Sequence, residues 1–389
     1  MKKNMTRLCT LLLSLTLLLH LSLAGSAQEL SATVTAVNHY GNLNLDLTSQ
    51  QMADAGFEIG DIVTVEGGTL PRAIKMPYVD DMLVPGSWGV SIETFPSEKY
   101  LTVALFNSSF SDRIGGKKGD RLTISMSEKG GFLNTYRSLH MELTNDRSDY
   151  DSDATFANFF EAGSYGLGGK KLYRSSKPML NSSGLNRYTY ADDLARKAGI
   201  NTIIAFADSE DGWQKALKSG NYGRYSKELY DRGGILFNRM GCDFFVDANA
   251  KKVGDAVRFM AQHEPPYLVC CTYGKDRTGL FSMMLQILMG ATYQEIEADY
   301  MRSYADYYHF TAANPNYKKL RTIMLDRILY IIANQGNVDA AAMCEMEVID
   351  VDSFFPSLQS AVEDFFLTKA GVTKQELDTL KLKLAGTCH

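Results

Sequence analysis

Nine residues, Cys271 to Gly279 (Cys-Thr-Tyr-Gly-Lys-Asp-Arg-Thr-Gly), constrain this chain more than any other stretch. The apolar run Pro266–Cys270 enters it and the run Leu280–Met289 leaves it. That pattern predicts a buried strand turning sharply into the N-terminus of an amphipathic helix. In such a turn the backbone N–H groups converge on one point and the helix dipole adds positive potential there. Arg277 contributes a planar fork of donors suited to two oxygens of one anion. The same field lowers the pKa of a thiol seated in it, so Cys271 is expected to be a thiolate nucleophile. Reading Cys271 as one more buried small hydrophobe gives no reason for Lys275, Asp276 and Arg277 to stand together between two apolar elements.

The stretch Cys271–Gly279 resembles the signature loop of the cysteine-dependent protein tyrosine and dual-specificity phosphatases, with five residues between cysteine and arginine. The Gly274-Lys275-Asp276-Arg277-Thr278-Gly279 version resembles a bacterial branch of secreted tyrosine phosphatases, some of which also act on phosphoinositides. Leu172-Tyr173-Arg174-Ser175-Ser176-Lys177-Pro178 and Ile296–Met301, with its Asp299-Tyr300-Met301, are similar to two further segments of that branch. The chain departs from the pattern in three places. Cys270 stands where His usually precedes the nucleophile. Ile203–Ala207, followed by Asp208, replaces an Asp-Leu-Arg triplet. Asn158-Phe159-Phe160-Glu161 replaces Asn-Phe-Arg-Asp.

The resemblance implies that Cys271 attacks phosphorus and that Arg277 and the N–H groups of 272–277 hold the phosphoryl oxygens. Thr278 is expected to donate to the Cys271 sulfur. Thr272, Tyr273, Gly274 and Lys275 form the cradle, and Tyr173, Arg174 and Lys177 are expected as pocket wall. The leaving oxygen needs a proton donor. Asp276 is the first candidate, since lipid phosphatases of the myotubularin kind carry an Asp there, and Asp208 and Asp211 are the alternatives. Substrates would be phosphorylated proteins, phosphoinositides or small phosphate esters such as inositol phosphates. A phosphate-binding pseudoenzyme is the second reading, prompted by Ala205 and Ala207.

Lys2, Lys3 and Arg7, then Leu8–Leu23, then Gly25-Ser26-Ala27 read as a secretory signal peptide cleaved after Ala27. An uncleaved anchor is the other reading, but the run is short for a span and is broken by His20. No later run is long enough for a membrane span, so the mature chain is expected to be exported and soluble. A net charge of −5 argues against a nucleic-acid partner. Cys9, Cys242, Cys270, Cys271, Cys344 and Cys388 do not form a disulfide scaffold. Cys242 or Cys270 is either a plain buried thiol or a reversible disulfide partner of Cys271. No His or Cys spacing calls for a metal, and no cofactor is expected.

Residues 28–130 alternate apolar and polar with Gly-rich turns, predicting a small all-β barrel of binding or scaffolding type. Gly60-Asp61 and Gly119-Asp120 form an internal echo in which each pair launches a strand. His39–Leu43, Tyr78–Asp81 with Pro85-Gly86-Ser87, and Gly116–Asp120 are similar to the C-terminal barrel domain of S-adenosylmethionine hydroxide adenosyltransferases. That family's catalytic aspartates lie in a domain this chain lacks, so the barrel is not expected to be an enzyme. Tyr78, Trp88 and Asn107 are read as core or rim residues with a ligand surface as the alternative. Residues 131–160, with the Asp-rich run Asn145–Asp153, read as a solvated linker rather than a calcium loop. Residues 161–389 alternate strands and helices, predicting an α/β domain with a central, mostly parallel sheet. Its signature loop would lie at the C-terminal end of a central strand.

Overall fold

Alternation puts one side of each N-terminal strand indoors: Leu43, Leu45 and Leu47 are buried while Asp46 is exposed. The structure, a computed structural model, describes residues 29–80, 89–92, 100–105, 108–180, 186–339, 342, 346 and 348–385. The leader read at 1–27, Trp88, Asn107, Cys9, Cys344 and Cys388 lie outside the described residues. Strands β1 (Glu29–Val37), β2 (Leu43–Thr48), β3 (Ile62–Gly67), β4 (Ile74–Val79), β5 (Gly89–Ile92), β6 (Tyr100–Ala104) and β7 (Arg121–Glu128) close into a barrel in the order β1-β2-β6-β5-β4-β3-β7. All neighbours run antiparallel except β4 and β5. Val34, Val63, Val65, Leu101, Val103 and Ile124 are among the side chains that fill it. Closure leaves no unpaired strand edge to satisfy.

The two Gly-Asp pairs launch β3 and β7, which are neighbours in the barrel. Both glycines have positive φ, 95° at Gly60 and 90° at Gly119. Both aspartates are buried and hold loops. Asp61 accepts from the Glu58 and Gly130 N–H groups at 2.7 Å each, and Asp120 accepts from Thr69 and Lys117 N–H at 3.0 and 3.1 Å.

The C-terminal part is built on β8 (Phe160–Glu161), β9 (Leu172–Ser176), β10 (Thr202–Ala205), β11 (Ile235–Phe237) and β12 (Tyr267–Cys271). Their order is β11-β10-β12-β9-β8, so β12 is central. It runs parallel to both β10 and β9, and β8 is antiparallel to β9. Successive residues face opposite layers. Val269 and Cys271 point into the cluster with the helices Asp276–Leu288 and Asp247–Gln262, while Leu268 and Cys270 meet Trp213, Ala191 and Leu229. The helix leaving β12 was expected to be amphipathic. Instead every residue from Thr278 to Leu288 is buried, Ser282 and Gln286 included, because further helices such as Leu358–Asp364 cover its outer face. No helix among the described residues is long and apolar enough to cross a membrane.

The connection 131–160 departs from a solvated linker. Asp146, Asp149 and Asp151 are exposed, but Leu139 and Met141 enter the main core. Tyr150 and Phe156 pack against Tyr307. Arg187, fully buried, pins the segment: it donates to the carbonyls of Phe156 and, at 2.6 Å, Thr144, and to the Tyr150 hydroxyl at 3.1 Å. Its guanidinium lies 4.1 Å from the Phe156 ring centroid and 4.9 Å from that of Tyr307. Polarity and Asp content suggested solvent, yet a few apolar residues and one distant arginine decide the path.

Replacing Arg187 by Ala strands those acceptors and is expected to cost roughly 2–4 kcal/mol of stability. A urea titration measures it, and limited proteolysis should cut first between 144 and 156.

Candidate active site

Cys271 ends β12, and the helix Asp276–Leu288 begins five residues later. The turn between them is held from outside through its carbonyl groups. Tyr273 C=O accepts from Asn158 Nδ2 (3.1 Å) and the Tyr307 hydroxyl (2.8 Å). Arg174 donates to the carbonyls of Gly274 (3.3 Å) and Lys275 (3.4 Å). In a trans peptide the N–H points opposite the preceding C=O. Carbonyls engaged outward therefore aim the N–H groups of Gly274, Lys275 and Asp276 the other way. Gly274 has φ +70°, and a Cβ there would lie 2.3 Å from the Ser175 carbonyl carbon. Gly279 is needed for packing, since its Cβ would lie 2.8 Å from the Tyr300 ring.

Arg174, expected in the pocket wall, lies beneath the loop instead. It is fully buried, paired with Asp299, and stacked on Phe160 at 5.0 Å. Its neighbours on β9 align with β12, Ser175 opposite Cys270 and Ser176 opposite Cys271. This explains the Arg174 and Asp299 motifs together: one residue from each forms a single brace under the loop. Asn158, at the C-terminus of the helix Asp153–Ala157 with φ +50°, is a second brace that motif reading did not assign.

Arg277 turns toward the pocket's other wall. Its Nη1 donates to the carbonyls of Phe206 (2.9 Å) and Met240 (3.1 Å), and Nη2 reaches Thr272 Oγ1 at 3.4 Å. Arg277 Nε is buried with no hydrogen-bond partner. A phosphoryl oxygen is the kind of acceptor that would satisfy it. Thr278 was expected to donate to Cys271. Its hydroxyl is buried with no hydrogen-bond partner.

Lys275 is buried against the Tyr304 ring (4.9 Å to the centroid) with Nζ 2.8 Å from Asp276. Burial works against its charge, but Asp276 and the Tyr304 and Tyr308 hydroxyls outweigh it and hold the ammonium well above its usual pKa. Asp276 therefore meets a permanent cation. Asp208 stands differently. It follows β10, whose Ala205 pairs with Cys270, and so emerges at the same end of the sheet as Cys271. One oxygen accepts from Lys177 Nζ at 3.2 Å, and the other is buried with no hydrogen-bond partner. Burial raises its pKa above the carboxylate norm, against the pull of Lys177, Arg277 and Arg239. Asp211 is exposed in the first turn of the helix Glu210–Ser219. Cys242 and Cys270 are free, and burial pushes both thiols up, Cys242 to about 12.

Sequence reasoning gave Arg239, His39 and Tyr40 no place near the loop, and read Cys242 only as a buried thiol or a disulfide partner of Cys271. All four lie within electrostatic reach of Arg277 or of the groups around it. No local pattern marks them, because they reach the site from distant segments. Among the described residues, no cluster of His, Cys, Asp or Glu could hold a metal ion.

The model of the tyrosine phosphatase family matches residues 214–386, a span that contains β12, the loop and Arg239. The match supports a tyrosine phosphatase-like family for this part of the chain. No curated protein matches the sequence. Among solved structures, the crystal structure of an uncharacterized conserved protein from Thermotoga maritima is similar at 19% identity with a TM-score of 0.23. The likeness covers 25% of this chain and 36% of that one.

Gly274→Ala forces a Cβ into the Ser175 backbone and displaces the cradle. A shift of about 1 Å at a reacting centre costs on the order of 10²-fold in rate. Phosphate-ester turnover is expected to fall that far, with weaker phosphate binding by titration calorimetry.

Proposed function

We propose that this chain, tyrosine phosphatase-like over residues 214–386, hydrolyses phosphate monoesters through a cysteinyl-phosphate intermediate. The observation that carries the reading is one short loop with Cys271 at its start, a half-buried Arg277 with an unpaired Nε at its end, and the carbonyls of Tyr273, Gly274 and Lys275 tied down. A rigid loop with oriented N–H groups stabilises charge that develops on the equatorial oxygens.

In the first step Cys271 Sγ bonds to phosphorus as the P–O bond to the leaving group breaks, and the leaving oxygen takes a proton. Water then attacks phosphorus, the P–S bond breaks, and inorganic phosphate and the Cys271 thiolate are released. Arg277 and the loop N–H groups hold the oxygens in both steps. The site's electrostatics support Asp208 as the proton donor. A donor must be protonated at the working pH. Burial favours the protonated form of Asp208 against the pull of Lys177, whereas Asp276 is the less buried of the two, beside Lys275. The substrates proposed are phosphotyrosine, phosphoinositide or inositol phosphate esters, met outside the cytoplasm after removal of the leader. The family match favours catalysis over a pseudoenzyme that only holds phosphate.

Phosphate release from p-nitrophenyl phosphate, a phosphotyrosine peptide, phosphoinositides and inositol hexakisphosphate tests the reading. Cys271→Ser is expected to abolish release from every ester. Release that persists in Cys271→Ser, or its absence in the native chain, refutes the mechanism. With Asp208 as donor, activity is present while that carboxyl is protonated and falls as pH rises through its raised pKa. Asp208→Asn should lose that alkaline limb of kcat/KM, and Asp276→Asn should keep it.

A further inference from the structure

Arg277 uses one nitrogen of its guanidinium as an anchor. Nη1 carries two protons, and it donates to the carbonyls of Phe206 (2.9 Å) and Met240 (3.1 Å). Nε is buried with no hydrogen-bond partner, and Nη2 reaches Thr272 Oγ1 at 3.4 Å. Nε and Nη2 form an edge with which a guanidinium can take two oxygens of one phosphoryl group. The two carbonyls on Nη1 therefore decide where that edge points.

Phe206 follows β10 directly and is fixed by the sheet, its N–H donating to the Cys270 carbonyl at 2.9 Å. Met240 lies in the loop after β11, so its place depends on that loop. Its N–H donates to the Phe206 carbonyl at 3.2 Å. Asn249 ties the same loop to the helix Asp247–Gln262. Its Oδ1 accepts from Gly241 N–H (3.2 Å) and its Nδ2 donates to the Asp243 carbonyl (2.7 Å). Residues 240–243 are thereby linked into one piece, and the Asp243 side chain is its handle.

That handle is held from the barrel. Arg113, in the short helix Phe110–Arg113 between β6 and β7, grips Asp243 with Nε at 2.6 Å and Nη2 at 2.7 Å. Its Nη1 donates to the Gly336 carbonyl at 2.6 Å, and Ser108 donates to the Asp243 carboxylate at 2.6 Å. The side chains of Arg113 and Asp243 are 17% and 5% exposed, so water and salt screen the pair little. Gly336, at φ +75°, admits the clamp: a Cβ there would lie 2.5 Å from Phe245 Cβ and 3.1 Å from Arg113 Nη2. Another ion pair across the boundary, Arg72 with Asp339 at 3.1 Å, is exposed and lies outside residues 240–243. A pair that merely joined two domains would serve anywhere along their boundary. The buried one ends three residues from a carbonyl that seats Arg277.

We propose that Arg113 of the barrel is a positioning residue of the phosphate site: through Asp243 it holds the Met240 carbonyl against Arg277 and so aims the Nε–Nη2 edge at the phosphoryl group. The barrel then sets the phosphate affinity of the domain it is joined to. This rests on the phosphatase reading above, in which Arg277 is the phosphate grip.

Titration calorimetry of inorganic phosphate into the full Cys271→Ser chain tests it without requiring turnover. That background is compared with Arg113→Lys, with Arg113→Ala together with Asp243→Asn, and with Arg72→Ala. The double replacement removes the clamp without leaving a lone buried carboxylate. Arg113→Lys keeps the charge and loses the fork, and gives the same test should the double replacement not fold. Side chains coupled through one hydrogen-bond network commonly change affinity by about fivefold. The double replacement is expected to weaken phosphate binding by about that factor, Arg113→Lys by less, and Arg72→Ala not at all. With Arg277→Lys also present, the double replacement should bring no further loss, because its effect passes through Arg277. Phosphate affinity that stays native in every folded Arg113 variant overturns the proposal. So does a loss undiminished by Arg277→Lys, or an equal loss from Arg72→Ala, since either marks a general loosening of the domain boundary. Failure of the native chain to release phosphate from any ester, with phosphate still bound and the Arg113 loss intact, counts against the phosphatase reading alone.

Discussion

One buried ion pair carries the site. Arg174 and Asp299 come from β9 and from the helix Tyr293–Tyr308, and both are removed from water. Burying two charges costs several kcal/mol per ion, and only their mutual attraction with further hydrogen bonds repays it. Arg174 meets part of that condition: Nη2 reaches the Gly274 and Lys275 carbonyls and the Ser303 hydroxyl, while Nε is buried with no hydrogen-bond partner. The pair therefore fixes the height of the loop above the sheet. If Arg174 were lost, Asp299 would be a buried carboxylate without its cation and the Gly274 carbonyl would have no donor, leaving the Lys275 carbonyl only the Gly279 N–H. Both consequences lead to the same place, a cradle whose N–H groups no longer converge.

The loop was legible in the sequence because its chemistry is contiguous: a strand, a glycine with positive φ, an arginine and a helix start follow one another in chain order. The strand β12 was legible as an apolar run for the same reason. Arg174 was read as pocket wall because an arginine near a phosphate site suggests a contact with phosphate. Only the third dimension shows that its carboxylate partner, Asp299, is under the loop. The choice between Asp276 and Asp208 was equally closed to sequence. Each carboxylate has a lysine partner, so it turns on how deeply each is buried, a quantity with no local signature.

Charge is distributed unevenly over an acidic chain. Lys275 and Arg277 in the loop, Lys177 after β9 and Arg239 after β11 gather at the C-terminal ends of parallel strands. In open sheets of this kind, ligands bind at that end. Two carboxyl groups share the region, and their surroundings differ. Asp276 sits at a helix N-terminus against a buried lysine, and Asp208 is buried with one oxygen unpaired. Sites that divide an acid from a structural carboxylate use such a contrast of environments.

The barrel closes the remaining side through the same logic of desolvated charge. Asp243 lies on the segment that also presents Met240 to Arg277, so anything that moves Asp243 moves an acceptor of the Arg277 guanidinium. Arg113 holds that carboxylate below its usual pKa through hydrogen bonding and charge, against the cost of burial. A surface ion pair would be worth little and would let the two parts drift. A nearly buried bidentate pair, with the Gly336 carbonyl as a third acceptor, resists both rotation and sliding. The geometry of the phosphate site is thus set from two directions, by Arg174 beneath the loop and by Arg113 across the domain boundary, and each arginine works by completing hydrogen bonds that burial would otherwise leave unmade.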